Sequence, residues 1–205
     1  MFDLFLSAFA TLFVVIDPPG CAPIYAGLTA RFERTHRRIM AIRACVVAGA
    51  ILLFFALFGQ RLLGALHIEL DAFRIAGGIM LFMIAIDMVF EKRTARREQR
   101  AEQVKADPEQ DDVSIFPMAM PMLAGPGAIA SVMLLQSNAM GIEGTMVVLA
   151  ALGSVLLLTL LALLAAGPLM KLLGPRFEAV LTRLLGVLLA ALAAQYVIDG
   201  VRGSF

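Results

Sequence analysis

Six runs of apolar residues, near 3–28, 40–60, 72–90, 115–136, 145–170 and 180–201, make up most of this 205-residue chain. About 20 such residues in a helix cross the roughly 30 Å of a bilayer's hydrocarbon. Hydrocarbon offers no water to a backbone amide or carbonyl, so a run of this length has to satisfy its own hydrogen bonds as a helix. Composition agrees: 60% of the residues are hydrophobic and 16% charged, against roughly 45–50% and about 25% in soluble domains. The fold class is therefore an all-α polytopic membrane protein of six transmembrane helices, with no room for a separate soluble domain.

Two of the six runs are interrupted where a helix should be most regular. Ile16-Asp17-Pro18-Pro19-Gly20 places a carboxylate, two prolines and a glycine inside the first, and Ala124-Gly125-Pro126-Gly127 divides the fourth. Proline removes a donor and clashes with the preceding turn, so each stretch should unwind its helix near the midplane and free carbonyls and amides. The interruptions stand in corresponding halves. Pro126-Gly127 follows Pro19-Gly20 at nearly the same offset as Arg183-Leu184-Leu185-Gly186 follows Arg74-Ile75-Ala76-Gly77, the two offsets differing by two residues. Each half holds three spans, an odd number, so the halves should enter the membrane in opposite senses as inverted repeats, with helices 1 and 4 broken. Broken helices at such positions are the best sequence-level pointer to a transporter's binding site. The organisation is thus a first repeat over 1–90, a charged linker over 91–112 and a second repeat over 113–205. The repeat is imperfect, since Asp17 aligns with Ala124 and Pro23 with Ala130.

Orientation follows from the basic residues. Of the 17 Lys and Arg, all but Arg61, Arg74 and Arg202 fall in three segments: Arg31, Arg34, Arg37, Arg38 and Arg43 after span one; Lys92, Arg93, Arg96, Arg97, Arg100 and Lys105 in the linker; Lys171, Arg176 and Arg183 between spans five and six. Positive charge marks cytoplasmic loops, which places the linker in the cytoplasm and both termini outside. The linker, with its alternating signs, reads as a solvated segment that extends the third helix by a few turns, not as a binding element. Arg61 to Leu70 reads as a short interfacial turn. The first Lys or Arg is Arg31, so the N-terminus lacks the basic start of a signal peptide and the first run is expected to remain as a span. Cys21 and Cys45 show no metal-binding spacing and read as packing residues.

The segments Ile16 to Ile24, Phe73-Arg74-Ile75-Ala76-Gly77-Gly78, Pro117-Met118-Ala119-Met120-Pro121-Met122-Leu123-Ala124-Gly125-Pro126-Gly127-Ala128-Ile129 and Arg183 to Gly186 resemble the signature segments of the MarC family of inner-membrane proteins. The resemblance covers essentially all six spans and fails only in the linker. The family is also called the neutral amino acid transporter family and is grouped with the lysine-exporter superfamily. It implies a six-helix secondary transporter for small neutral amino acids such as glycine, alanine or serine.

The residues themselves give a mechanism to set beside that resemblance. Half-helices that begin after Gly20 and Gly127 present unpaired amides and a positive dipole end to a carboxylate. The half-helix ending at Ile16 presents carbonyls, and Asp17 adds a full negative charge, which suits an ammonium group, a proton or a metal cation. The candidate binding residues are accordingly Asp17, Pro18, Pro19, Gly20, Cys21, Ala124, Gly125, Pro126, Gly127 and Ser131. Asp17 is also the candidate coupling residue, since an acid within a span is a functional hypothesis by default. Gly20, Gly125 and Gly127 would leave room only for a small side chain. The expected partners are a small neutral amino acid, a proton or other monovalent cation, and membrane lipid, with self-association left open and no nucleic acid. No cofactor or metal is expected. An enzyme is not expected either, since His36 and His67 fall in loops on opposite sides and no nucleophile–base pair, metal motif or phosphate loop is present. The alternatives are a non-transporting scaffold or assembly subunit, whose small residues Ala150, Ala151, Gly153 and Ser154 would serve helix packing alone, or an exporter of another small solute.

Overall fold

The computed structural model describes residues 1–105 and 112–205, with backbone alone for 94, 100, 101, 103–105 and 168–178. All regular structure among the described residues is helical. The first span consists of α1 (Phe2–Ile16) and α2 (Pro18–Leu28), followed by α3 (Arg34–Ala65) and α4 (Leu70–Val89). A short polar helix, α5 (Lys92–Lys105), leads toward the second half. There the segment Ser114–Leu123 and α6 (Pro126–Ser137), bent by 52° at their junction, make a broken fourth span, and α7 (Gly141–Leu164) makes the fifth. The sixth is the Ala179–Gly203 portion of α8 (Ala166–Gly203).

These boundaries match the apolar runs to within a few residues, except that the second span is longer at both ends, from Arg34 to Ala65, and the fifth ends at Leu164. Helix α3 continues through Ala65, which reduces the turn to Leu66–Glu69 with His67 left-handed at φ 54°. Leu12, Ile16, Ala41, Ala44, Ala48, Ala151 and Val155 fill the interior. Phe54, Phe58, Leu157, Leu161, Leu184 and Leu188 remain exposed. Apolar exposure on this scale would be costly in water and suits hydrocarbon.

Helices α4 and α8 make the most extensive contact between elements. Hydrocarbon gives no hydrophobic drive for helix pairing, so pairing depends on close backbone approach through small residues. A Cβ added at Gly78 would lie 2.8 Å from the carbonyl oxygen of Ala193, and one at Gly186 would lie 2.9 Å from Cβ of Met88. The arginine-glycine segments are therefore packing positions on facing helices. Their arginines anchor opposite ends of the bundle: Arg74 donates to Asp71 and to Asn138, each at 2.8 Å, and Arg183 donates to Glu91 at 2.6 Å.

The main departure from the sequence reading is α5. It is not a solvated extension of α4. Glu91, left-handed at φ 58°, turns the chain back, and α5 packs against α2, α4 and the Ser114–Leu123 segment. The acidic end of the linker, 106–111, lies outside the described residues.

Candidate functional site

The first break is confined to one residue. A residue before proline is forced out of the right-handed helical region, and Asp is one of the few types that tolerate the left-handed one. Asp17 adopts it, at φ 60° and ψ 64°, closing α1 and opening α2 at once. Pro18 and Pro19 then occupy the first helical positions, where a missing N–H costs nothing. The side chain of Asp17 caps α2 by accepting from the amide of Gly20 at 3.1 Å. Gly20 has to be glycine for this, because a Cβ there would lie 2.3 Å from Oδ2 of Asp17.

The two prolines leave the Val14 and Val15 carbonyls one turn earlier without backbone donors, and the Gly20 amide, turned to the Asp17 side chain, leaves that of Ile16. The Val15 carbonyl accepts from Nη2 of Arg93 at 2.6 Å, and the Ile16 carbonyl accepts from the Cys21 thiol at 3.4 Å. The remaining charge is answered from the same direction. Nη1 of Arg97 donates to Oδ2 of Asp17 at 2.9 Å, with Asp17 1% and Arg97 7% exposed. Arg93 and Arg97 stand four residues apart, on one face of α5. The electronegative groups expected to meet a substrate ammonium are thus held in this conformation by the protein's own guanidinium groups.

The second break is longer. Phe116 and Met120, each before a proline, are extended at φ −123°, ψ 126° and φ −130°, ψ 125°, as the preceding-residue rule requires. Gly125 then caps α6 in extended conformation with Pro126 in its first turn. At Gly125 a Cβ would meet the Pro121 carbonyl oxygen at 2.4 Å, so the bend itself excludes any side chain. At Gly127 a Cβ would meet Cδ1 of Ile84 at 2.4 Å and Cγ1 of Val15 at 3.5 Å. The start of α6 therefore lies against the end of α1, and the two breaks adjoin.

Beside this junction is a cavity of about 360 Å³. Val15 lines it from the first break, Gly125, Pro126, Gly127 and Ala128 from the second, with Asp87 of α4 and Arg93, Arg96 and Arg97 of α5 completing its polar wall. Asp87 pairs with Arg96. Three guanidinium groups thus face two carboxylates, Asp87 in the wall and Asp17 behind Arg97. With the amides of α6 added, the excess is positive and suits a carboxylate or other small anion.

Of the candidates from sequence, Gly125, Pro126 and Gly127 line the cavity. Asp17 adjoins it through Arg97, whereas Pro18, Pro19, Gly20 and Cys21 build the turn behind it. Ala124 is 1% exposed and closes the preceding segment. Ser131 lies a turn further along α6, fully buried, and its hydroxyl has no hydrogen-bond partner among the described residues. Sequence reasoning missed Arg93, Arg96, Arg97 and Asp87. The four-residue spacing of Arg93 and Arg97 in an otherwise alternating charge run was the available signal.

The profile of the MarC family, described as "MarC family integral membrane protein", matches residues 2–205. The UPF0056 membrane protein MJ1677 of Methanocaldococcus jannaschii is 36% identical over 200 residues, 98% of this chain and 97% of its own length. The UPF0056 membrane protein YvbG of Bacillus subtilis is 32% identical over 205 residues, covering 100% of this chain and 97% of its own. A UPF0056 membrane protein of Archaeoglobus fulgidus is 32% identical over 199 residues, 97% of this chain and 92% of its own. No solved structure matches. Matched from end to end by the profile and by relatives of nearly equal length, the chain belongs to the MarC family of integral membrane proteins.

Proposed function

We propose that this protein is a secondary transporter of small neutral amino acids, of the glycine, alanine and serine class, driven by a cation gradient and most simply by protons. The observation that carries the reading is the junction of two broken helices at one cavity with an unequal charge balance. Its volume, about 360 Å³, is near the lower end of the range for small-molecule sites, which favours a small solute. The substrate carboxylate binds the Arg93 guanidinium and the first amides of α6. Its ammonium group, one carbon away, competes with Arg97 for Asp17.

That competition supplies the transport step. The ammonium, or a proton on Asp17, removes the attraction that holds Arg97 and frees α5 to leave the break. Substrate and proton thus act on one ion pair, and each alters the binding of the other by linkage. The protein resides in the bacterial inner membrane with the α5 side cytoplasmic and both termini outside, its halves acting as inverted repeats around the site.

A ligand-dependent thermal shift on the purified protein tests the assignment. Glycine, alanine or serine should raise the unfolding temperature, while lysine and leucine should not. The Gly127→Leu variant should insert normally, since the atom nearest its new Cβ is the flexible end of Ile84, yet lose the response. A Gly127→Leu protein that responds as the unaltered one does places the substrate elsewhere, and a scaffold with no transported solute would respond to none of these amino acids.

A further inference from the structure

A second and larger cavity, about 520 Å³, opens where α2 meets the start of α3 and the end of α7. Arg34, Arg37 and Arg38 line it together with Tyr25, Ala26 and Thr29, and Leu163, Leu164, Ala166 and Gly167 form its other wall. The three arginines are at three- and four-residue spacing, so they share one face of α3. The position is fixed by hydrogen bonds that do not use the guanidinium groups: the Tyr25 hydroxyl donates to the backbone carbonyl of Arg37, and the Thr29 hydroxyl donates to the Tyr25 carbonyl at 2.7 Å. Among the described residues no carboxylate pairs with Arg34, Arg37 or Arg38.

This arrangement is unfavourable on its own. Like charges three and four residues apart repel, and cations in the first turns of a helix oppose its dipole. The first turn of α3 contains no acidic residue, and Glu33 before it makes no capping bond and does not line the cavity. A preference for basic residues on one side of a membrane accounts for how many arginines lie here. It does not account for their convergence on one cleft beside a leucine wall at the end of a span.

We infer that this cleft binds the phosphate headgroup of an anionic phospholipid, with the three guanidinium groups on the phosphate and an acyl chain against Leu163 and Leu164. Phosphate offers acceptors matched to the guanidinium fork, and charge complementarity selects an anionic over a zwitterionic lipid. The site lies apart from the cavity at the helix breaks and does not depend on what that cavity transports.

Lipid binding to the full-length protein in detergent, read by native mass spectrometry, tests this directly with phosphatidylglycerol, phosphatidylcholine and inorganic phosphate as probes. Phosphatidylglycerol should bind more tightly than phosphatidylcholine, and each of Arg34→Gln, Arg37→Gln and Arg38→Gln should weaken it roughly fivefold. The pair Arg61→Gln and Arg202→Gln, outside the cleft, should leave it unchanged. The single variants guard against a triple variant that fails to fold, and relief of repulsion predicts that they unfold no more easily than the unaltered protein in the absence of lipid. Equal binding of the two lipids, equal losses from the Arg61 and Arg202 substitutions, or saturation by inorganic phosphate with no added affinity for phosphatidylglycerol would each overturn the assignment.

Discussion

Replacing Arg97 by glutamine should destabilise the protein far more than the loss of a charge from a polar helix normally does. The change leaves the Asp17 carboxylate, 1% exposed, with the Gly20 amide as its remaining side-chain hydrogen bond among those described. Removing one member of a buried pair costs about 3–5 kcal/mol, because the other charge remains without compensation. At about 1.4 kcal/mol per decade that is roughly two to four orders of magnitude in the folding equilibrium. Asp17→Asn should also destabilise the protein, because it removes the buried carboxylate that Arg97 faces at the break. The double variant restores neutrality, so its cost should fall short of the sum of the two by about 1–3 kcal/mol. Reversible unfolding in mixed micelles, followed by helicity, measures all four proteins. Single-variant costs below about 0.5 kcal/mol, as at an ordinary surface position, together with simple additivity, would refute the buried pair and the closure of the break by α5.

Gly125→Ala should impair folding, because its Cβ would lie 2.4 Å from a backbone oxygen that cannot move aside. Gly153→Ala, with nothing within 4 Å of the added methyl, should instead stabilise α7 by about 0.5–1 kcal/mol, and the two unfolding midpoints can be compared directly. Burial alone would raise the Asp112 pKa, but hydrogen bonds from Ser114 and Arg43 outweigh it and hold the carboxyl below its ordinary 3.8. A lowered folded-state pKa contributes stability that is complete above the unfolded value and lost as pH falls through the folded one. Asp112→Asn should therefore flatten the acid limb of the stability profile below about pH 4 and leave the neutral region's slope unchanged. Cysteines introduced at Glu102 and Ser204 should react with an impermeant reagent from opposite sides of the membrane, and reaction of both from outside would refute the proposed topology.

The spans were legible because hydrocarbon permits one answer to a long apolar run, and the breaks because proline and glycine act on the backbone locally. The residues of the second break that line the cavity, Gly125, Pro126 and Gly127, were accessible by the same reasoning. The other half of the polar wall was not. An acid within a span requires a counter-charge, and the sequence reading assigned that role to a substrate or proton. The counter-charge is Arg97, 80 residues away in sequence, on a helix whose composition suggests full solvation. Local pattern could show that Arg93 and Arg97 share a helix face, but only tertiary packing decides that the face turns into the break. The glycines give a similar result. Gly20 and Gly125 do keep atoms close together, yet the atoms admitted are the carboxylate of Asp17 and the carbonyl of Pro121 and not a substrate.

The proposal that this protein transports small amino acids, coupled through the Asp17–Arg97 pair, is open to a direct measurement: accumulation of labelled alanine by proteoliposomes under an imposed pH gradient, for the unaltered protein and for Asp17→Asn. Asparagine keeps the size of the side chain and a carbonyl acceptor but cannot take up a proton or carry a charge. Gradient-driven accumulation in the unaltered protein, abolished in the variant while exchange of internal for external alanine persists, is the result predicted. Accumulation by Asp17→Asn with the same magnitude and pH dependence as the unaltered protein would contradict it, and would leave the buried pair a purely structural feature of the first broken helix.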